Sequence, residues 1–142
     1  MLVWKDDLAG VDWQELSELY RLAPLGDKPP RELELVFGNS VFRLFVYDAG
    51  RLVATGRVLA DGRDCAYLCD IAILPSHQGQ CLGKEMVGRL LRLSSGHKKI
   101  ILYSVPDKEA FYQGFGFRRM LTAMAIFEDP AAATTKGYLA PA

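Results

Sequence analysis

Asp70-Ile71-Ala72-Ile73-Leu74-Pro75-Ser76-His77-Gln78-Gly79-Gln80-Cys81-Leu82-Gly83-Lys84-Glu85 is an apolar strand that passes through a glycine-bearing loop straight into a helix. A helix entered this way leaves its first backbone N–H groups without intrahelical partners, with the positive end of the helix dipole behind them. Such a helix start suits a diphosphate. The dinucleotide pattern G-x-G-x-x-G is absent. The nearest approach to G-x-x-x-x-G-K-[ST] runs from Gly79 to Gly83-Lys84-Glu85, one residue short and with Glu85 where a hydroxyl would hold magnesium. The loop therefore suits a ligand whose phosphates need no metal.

Ile73-Leu74-Pro75 followed by Gln78-Gly79-Gln80-Cys81-Leu82-Gly83 resembles the V-x-P then Q/R-x-x-G/A-x-G/A signature of the GNAT superfamily of acyl-coenzyme A dependent N-acyltransferases. Phe111-Tyr112-Gln113-Gly114-Phe115-Gly116-Phe117 looks like the F-Y-x-x-x-G-F element of the same superfamily. The Gln-Gly-Gln run with Gly83-Lys84 is also similar to the small bacterial and plastid-type arylalkylamine acetyltransferases. The resemblance spans about residues 41–127. It implies an α/β (α+β) fold with a mixed, largely antiparallel, twisted sheet flanked by helices, and acetyl-CoA as cosubstrate with no metal. One position departs from the signature: Cys81 stands where the superfamily has Gly or Ala. A side chain there crowds the phosphates or forces a disfavoured backbone angle.

Composition fits this reading. A chain of 142 residues makes one domain with a sizeable core, and 50% hydrophobic with 24% charged residues is ordinary globular composition. Seventeen basic and seventeen acidic side chains cancel, which argues against a nucleic-acid or acidic-membrane partner held by bulk charge. No basic segment followed by an apolar core opens the chain, and no run reaches the length of a membrane span, so a cytoplasmic protein is expected. Cys65 and Cys69, four apart, form no C-x-x-C pair, and with only His77 and His97 beside them a zinc site is not expected.

Along the chain, Leu2-Val3-Trp4 reads as a first strand, and Asp12 caps a helix with Trp13, Leu16, Leu19 and Tyr20 at helical spacing. A second helix is expected over Arg31 to Phe37, ending at Gly38-Asn39. Val41 to Tyr47 and Arg51 to Leu59 read as a hairpin turning at Asp48-Ala49-Gly50. Ala66 to Leu74 reads as a central strand buried on both faces, with Asp70 almost its only polar residue. The helix from about Gln80 to Ser94 puts Leu82, Met86, Leu90 and Leu93 on one stripe. Lys99 to Ser104 is a further strand, a short helix runs through Gln113, and Phe117 to Phe127 closes the sheet. Residues 129–142, rich in Ala, Thr and Pro, read as a loose tail.

Amide formation from a thioester needs a held acyl donor, a neutral amine and a proton for the departing thiolate. The resemblance implies that backbone groups of Ile71 and Ile73 hold the pantetheine arm, if this strand splays from its neighbour. The amides of Gln78, Gly79, Gln80, Cys81, Leu82, Gly83 and Lys84 then take the pyrophosphate. Tyr112 is placed by the resemblance beside the thioester sulfur, and a phenol with a pKa near about 10 can protonate a thiolate of about 8.5. Its alternative is an aromatic packed in the core. An alkylamine is almost wholly protonated at neutral pH, so a base or ordered water must take a proton. Asp70 is the candidate carboxylate; its alternative is a structural role, accepting loop hydrogen bonds or pairing with an arginine such as Arg57. A water chain among Tyr67, Cys69 and Asp70 would serve equally. Lys84 and Arg89 are solvated helix residues or phosphate contacts, and His77 a packing or surface residue.

The expected function is acetyl transfer from acetyl-CoA to a small-molecule primary amine by direct attack, since no Cys-His pair or nucleophile elbow is present. Two alternatives stay open: a CoA-binding regulatory module without turnover, and acetylation of a protein lysine or N-terminus. Trp13, Tyr20, Phe37 and Tyr67 suit a compact, partly apolar amine, and core packing as well. The sequence leaves the oligomeric state open, a homodimer included.

Overall fold

Asp12 begins the first helix by accepting from the backbone N–H groups of Gln14 and Glu15, two of the orphan donors of a helix start. That helix, α1 (Trp13–Leu22), and α2 (Pro30–Gly38), which starts at a proline, form a pair. A computed structural model describes all 142 residues and divides them into two compact units, Met1–Ile101 and Leu102–Ala142.

The first unit holds one sheet in the order β1 (Leu2–Lys5), β2 (Phe42–Asp48), β3 (Arg51–Ala60), β4 (Cys65–Ile73) and β5 (Lys99–Ile101). Neighbours are antiparallel except β4 and β5, which run parallel and are joined through α3 (Leu82–Leu93). The mixed, largely antiparallel sheet flanked by helices is the one expected. The β2–β3 turn places Ala49 and Gly50 at φ 50° and 80°, the positive angles that a tight hairpin demands.

Successive residues of β3 mark the two faces of the sheet. Gly56 faces α3 so closely that an added Cβ would lie 2.9 Å from Leu90 Cδ1 and 3.3 Å from both Ile71 Cγ1 and Met86 Sδ. Its neighbour Arg57 points to the opposite face, where its guanidinium lies over the Phe37 ring of α2. The core thus has α3, through Leu82, Met86, Val87 and Leu90, on one side, and Leu16, Leu19, Tyr20, Leu33 and Phe37 of the helical pair on the other. Leu93, expected on the α3 stripe, is 39% exposed, and Ser94 is buried at the end of that helix instead.

The second unit departs from expectation. Lys99 to Ser104 is strand only to Ile101, and Phe117 to Phe127 forms no strand at all. A 3-10 turn at Pro106–Lys108 leads into α4 (Glu109–Gln113) as expected. Residues 129–142, read as a loose tail, carry α5 (Pro130–Thr135), with Asp129 accepting from Ala132 N–H at its start and Ala133 buried. No helix of the chain is long and apolar enough to cross a membrane.

The closeness of Gly56 to α3 makes it the backbone position of the sheet least tolerant of a side chain. Gly56→Val is expected to lower the stability of the folded chain by about 1–3 kcal/mol, despite valine's strand preference. Calorimetry measures it, and an unchanged melting temperature would show that α3 yields without cost.

Candidate functional site

The site grows from a break in β4. Thr55 pairs with Ala72 and Arg57 with Cys69, so Gly56 alone stands opposite both Asp70 and Ile71. That is a β-bulge, and Asp70 takes up the extra residue at φ 54°. Leu68, opposite Val58, faces α3 before the bulge; Ile71 and Ile73 face it afterwards. β4 is therefore less buried than expected, with Tyr67, Cys69, Asp70, Ile71 and Ile73 only half-buried.

Ion pairing and hydrogen bonding hold the strained residue. Arg57 Nε donates to Asp70 Oδ2 at 2.8 Å, and Lys28 Nζ lies 3.4 Å from Oδ1. Tyr20, buried in α1, donates its hydroxyl to the Asp70 carbonyl at 2.6 Å. Arg57 also donates to Ser40 Oγ at 3.3 Å. The pairing with Arg57, offered by the sequence as the alternative for Asp70, is formed, and both carboxylate oxygens are engaged by cations. Burial pushes the Cys69 thiol up to about 11 and the Tyr20 phenol well above its usual range, so both stay protonated at neutral pH. Lys28 lies in a loop and carried no sequence signal for this role. Tyr20 was visible only as an aromatic on a helical stripe.

Beyond the bulge β4 has a free edge. Its parallel pairing with β5 ends at Tyr67 opposite Ile101. Leu74 N–H donates to Val53 O toward β3, so by strand alternation the amide and carbonyl groups of Ile73 and Ile71 point to the other edge. The Ile73 carbonyl is not free there: Gln78 Nε2 donates to it at 3.0 Å.

Pro75–His77 then forms a single 3-10 turn, anchored where His77 Nε2 meets Asp48 Oδ2 at 2.8 Å. The hydrogen bond from His77 is the main cause that holds the Asp48 carboxyl below its usual range. His77 thus has the packing role expected of it. Gln78 N–H is used within the turn, donating to the Pro75 carbonyl at 3.3 Å. From Gly79 through Lys84 no backbone N–H donates to any protein group; the next, Glu85, caps onto Cys81 O at 3.0 Å. Gly79 at φ 77° and Cys81 at φ 63° both take left-handed angles, which wind this run of amides around the start of α3. An added Cβ at Gly79 would meet nothing within 4 Å, and Cys81 is exposed. Gln80 Nε2 braces the loop at Ser76 O, while Arg89 is paired with Glu85 at 2.8 Å and lies over the Trp4 ring. Arg89 is thereby committed to α3 and β1, and Lys84 is exposed.

In the second unit Tyr112 lies on α4, its ring edge-on to Phe111 and Phe117 at 5.1 and 6.0 Å. Its carbonyl accepts from Phe115 and Phe117 N–H, which fixes the turn through Gly114 and Gly116. Burial raises the pKa of the phenol, which is therefore fully protonated at neutral pH.

These features can be set beside known proteins. Residues 11–117 match the model of the acetyltransferase (GNAT) family. An uncharacterized ycf52-like N-acetyltransferase of Prochlorococcus marinus is 29% identical over 113 residues, which are 75% of this chain and 63% of that protein. Serotonin N-acetyltransferase 2 of rice chloroplasts is 38% identical over 71 residues, 49% of this chain and 36% of that protein. The chain thus spans less than two thirds of the length of either curated relative. Among solved structures, a probable acetyltransferase from methicillin-resistant Staphylococcus aureus superposes with a TM-score of 0.81 at 23% identity, over 91% of this chain and 99% of the other. That likeness is one of fold. With the family model covering most of its length, this chain belongs to the GNAT acetyltransferase family.

Proposed function

We propose that this protein transfers the acetyl group of acetyl-CoA to a primary amine of a small molecule by direct attack of the amine on the thioester. The observation that carries the reading is the unbroken run of unpartnered amides from Gly79 to Lys84 at the end of a strand with a free edge. The fit to a coenzyme A diphosphate is one of donors: several N–H groups, a helix start behind them and open space at Gly79. Ile71 N–H and C=O and Ile73 N–H hold the pantetheine amides as a third strand would; the Ile73 carbonyl is excluded by Gln78. Bound acetyl-CoA supplies the acetyl group as a thioester whose sulfur departs as a thiolate.

In this reading Tyr112 donates the proton that the departing sulfur takes. A phenol whose pKa is raised by burial keeps its proton until charge develops on its neighbour, which suits a general acid. Asp70 is assigned to positioning, because Arg57 and Lys28 already occupy its oxygens. It fixes the bulge and ties the segment between α1 and α2 to the sheet. The amine then loses its proton through ordered water beside Tyr67 and Cys69, the route the sequence offered as an alternative to a dedicated base.

Acceptor preference is the finer part of the proposal. The match to a serotonin N-acetyltransferase supports an arylalkylamine-like acceptor. The experiment is CoA release measured with acetyl-CoA and a panel of tryptamine, phenethylamine, polyamines and lysine peptides. Turnover of arylalkylamines upholds the reading; peptide substrates that outcompete them favour protein acetylation; CoA binding with no product from any amine favours a module without turnover.

Tyr112→Phe keeps the ring and removes only the phenolic proton. With chemistry rate-limiting, kcat is expected to fall about 10²-fold or more with KM for acetyl-CoA little changed. An unchanged kcat would return Tyr112 to the aromatic core of its unit.

Cys81→Gly tests the loop itself. The left-handed angle at Cys81 costs a non-glycine residue about 1 kcal/mol or more, whereas glycine adds roughly 0.5–1 kcal/mol of unfolded-chain entropy. Had the native angles suited cysteine, the variant would lose stability. At φ 63° the two effects offset, and stability should hold or rise by up to about 1 kcal/mol while acetyl-CoA binds more tightly. Calorimetry on both proteins decides it, and weaker or equal binding by the glycine variant would show that the thiol already fits the diphosphate loop.

A further inference from the structure

The sheet face under the helical pair carries more positive charge than its carboxylate balances. Arg43 of β2 stands directly opposite Arg57 of β3, so two guanidinium groups share that face, where like charges in a cross-strand pair oppose folding. Lys28 adds a third cation, and the carboxylate among them, Asp70, is already held by Arg57 and Lys28. Arg43 takes part in none of the ion pairs of the chain. Its Nη1 donates to the Ser40 carbonyl at 2.9 Å, and its Nε is buried with no hydrogen-bond partner. The fork of Nε and Nη2, whose geometry matches a carboxylate or phosphate, is therefore unused.

Apolar surface lies beside this charge. Arg43, Arg57 and Cys69 form one row across β2, β3 and β4. Two residues along, Leu59, Tyr67 and Ile101 form the next row on the same face. Leu59 is 41% exposed, and Tyr67 and Ile101 are half-buried, so α1 and α2 do not close over this row.

We propose that the acceptor amine carries an acid group at the end remote from its nitrogen, and that Arg43 binds that group while the body of the acceptor lies on Leu59 and Tyr67. The inference rests on the acetyl-transfer reading, which sets the amine beside Tyr67 and Cys69 on β4. Two strand spacings, about 10 Å, separate β4 from β2, a span that an arylalkylamine with the acid on its ring bridges together with the arginine side chain. Charge selects this class of acceptor. A polyamine would bring further cations to a face that already holds three, and a neutral arylalkylamine would leave the Arg43 fork unmet. An anion there relieves the repulsion between the two arginines and supplies the missing acceptor for Nε.

The test is an internal competition: acetyl-CoA with an equal mixture of 4-(2-aminoethyl)benzoate and its methyl ester. The ratio of the two products gives the ratio of kcat/KM, which does not depend on how much of a variant is folded. Wild type is expected to favour the acid at least tenfold. The same competition between tyramine O-phosphate and tyramine separates a phosphate from a carboxylate, the larger preference naming the group. Arg43→Gln should cut the preference at least fivefold, and Arg43→Lys, which keeps the charge without the fork, should retain part of it. A binding measurement separates this proposal from the reaction. With coenzyme A present, 4-(2-aminoethyl)benzoate should saturably move the Arg43 Nε–H resonance, assigned through Arg43→Gln, and the methyl ester should not. That shift without turnover of any amine would uphold the anion site and refute the transferase reading. Equal use of acid and ester by wild type, or a preference that survives Arg43→Gln, overturns the proposal and leaves the transferase reading standing. Absence of both turnover and a shift at Arg43 overturns it as well.

Discussion

Everything in the site follows from holding Asp70 in a backbone conformation that a non-glycine residue avoids. A left-handed residue inside a strand persists only where its surroundings determine it more strongly than its own preference opposes it. Here Arg57 and Lys28 grip the carboxylate while the Tyr20 hydroxyl grips the carbonyl of the same residue. The bulge shifts the alternation of β4, so that Ile71 and Ile73 pack against α3 and present their amide groups at an edge that β5 no longer covers. Gly56 is the counterpart of the bulge on β3: with no Cβ it lets α3 approach the strand at the point where two residues oppose one.

The loop that follows extends the same logic of unpartnered backbone. A continuous run of backbone N–H groups without protein acceptors beside a helix start is the feature on which the proposed diphosphate site rests. Side chains in the loop brace it and leave the amides open: Gln78 and Gln80 bind backbone carbonyls, and His77 pins the turn to the end of β2. The open groups of the loop are backbone, and Leu82, Met86 and Leu90 of the helix that follows fill the core. In the proposed reading one stretch thereby serves packing and binding without conflict.

Much of this was legible in the sequence. The strand–loop–helix stretch, the capped first helix and the first hairpin were read correctly because periodicity, an aspartate cap and turn residues all pointed the same way. Asp70 stood out as a lone carboxylate among apolar neighbours, but its bulge and its partner Lys28 depend on contacts between distant residues. Phe117 to Phe127 has the composition of a strand, yet composition does not say which strand it would pair with, and it pairs with none of the five. The helix at Pro130–Thr135 did carry a signal, Asp129 followed by a proline at the first helical position, which the small residues around it obscured.

The account rests on the amides of Gly79 to Lys84 as the diphosphate site, and a backbone amide NMR titration tests it most directly. Coenzyme A should move these resonances more than any others, saturably, together with those of Ile71 and Ile73. Pantetheine, which lacks the diphosphate, should move Ile71 and Ile73 and leave the loop unchanged. Saturable coenzyme A binding that leaves the loop amides unmoved would contradict the account.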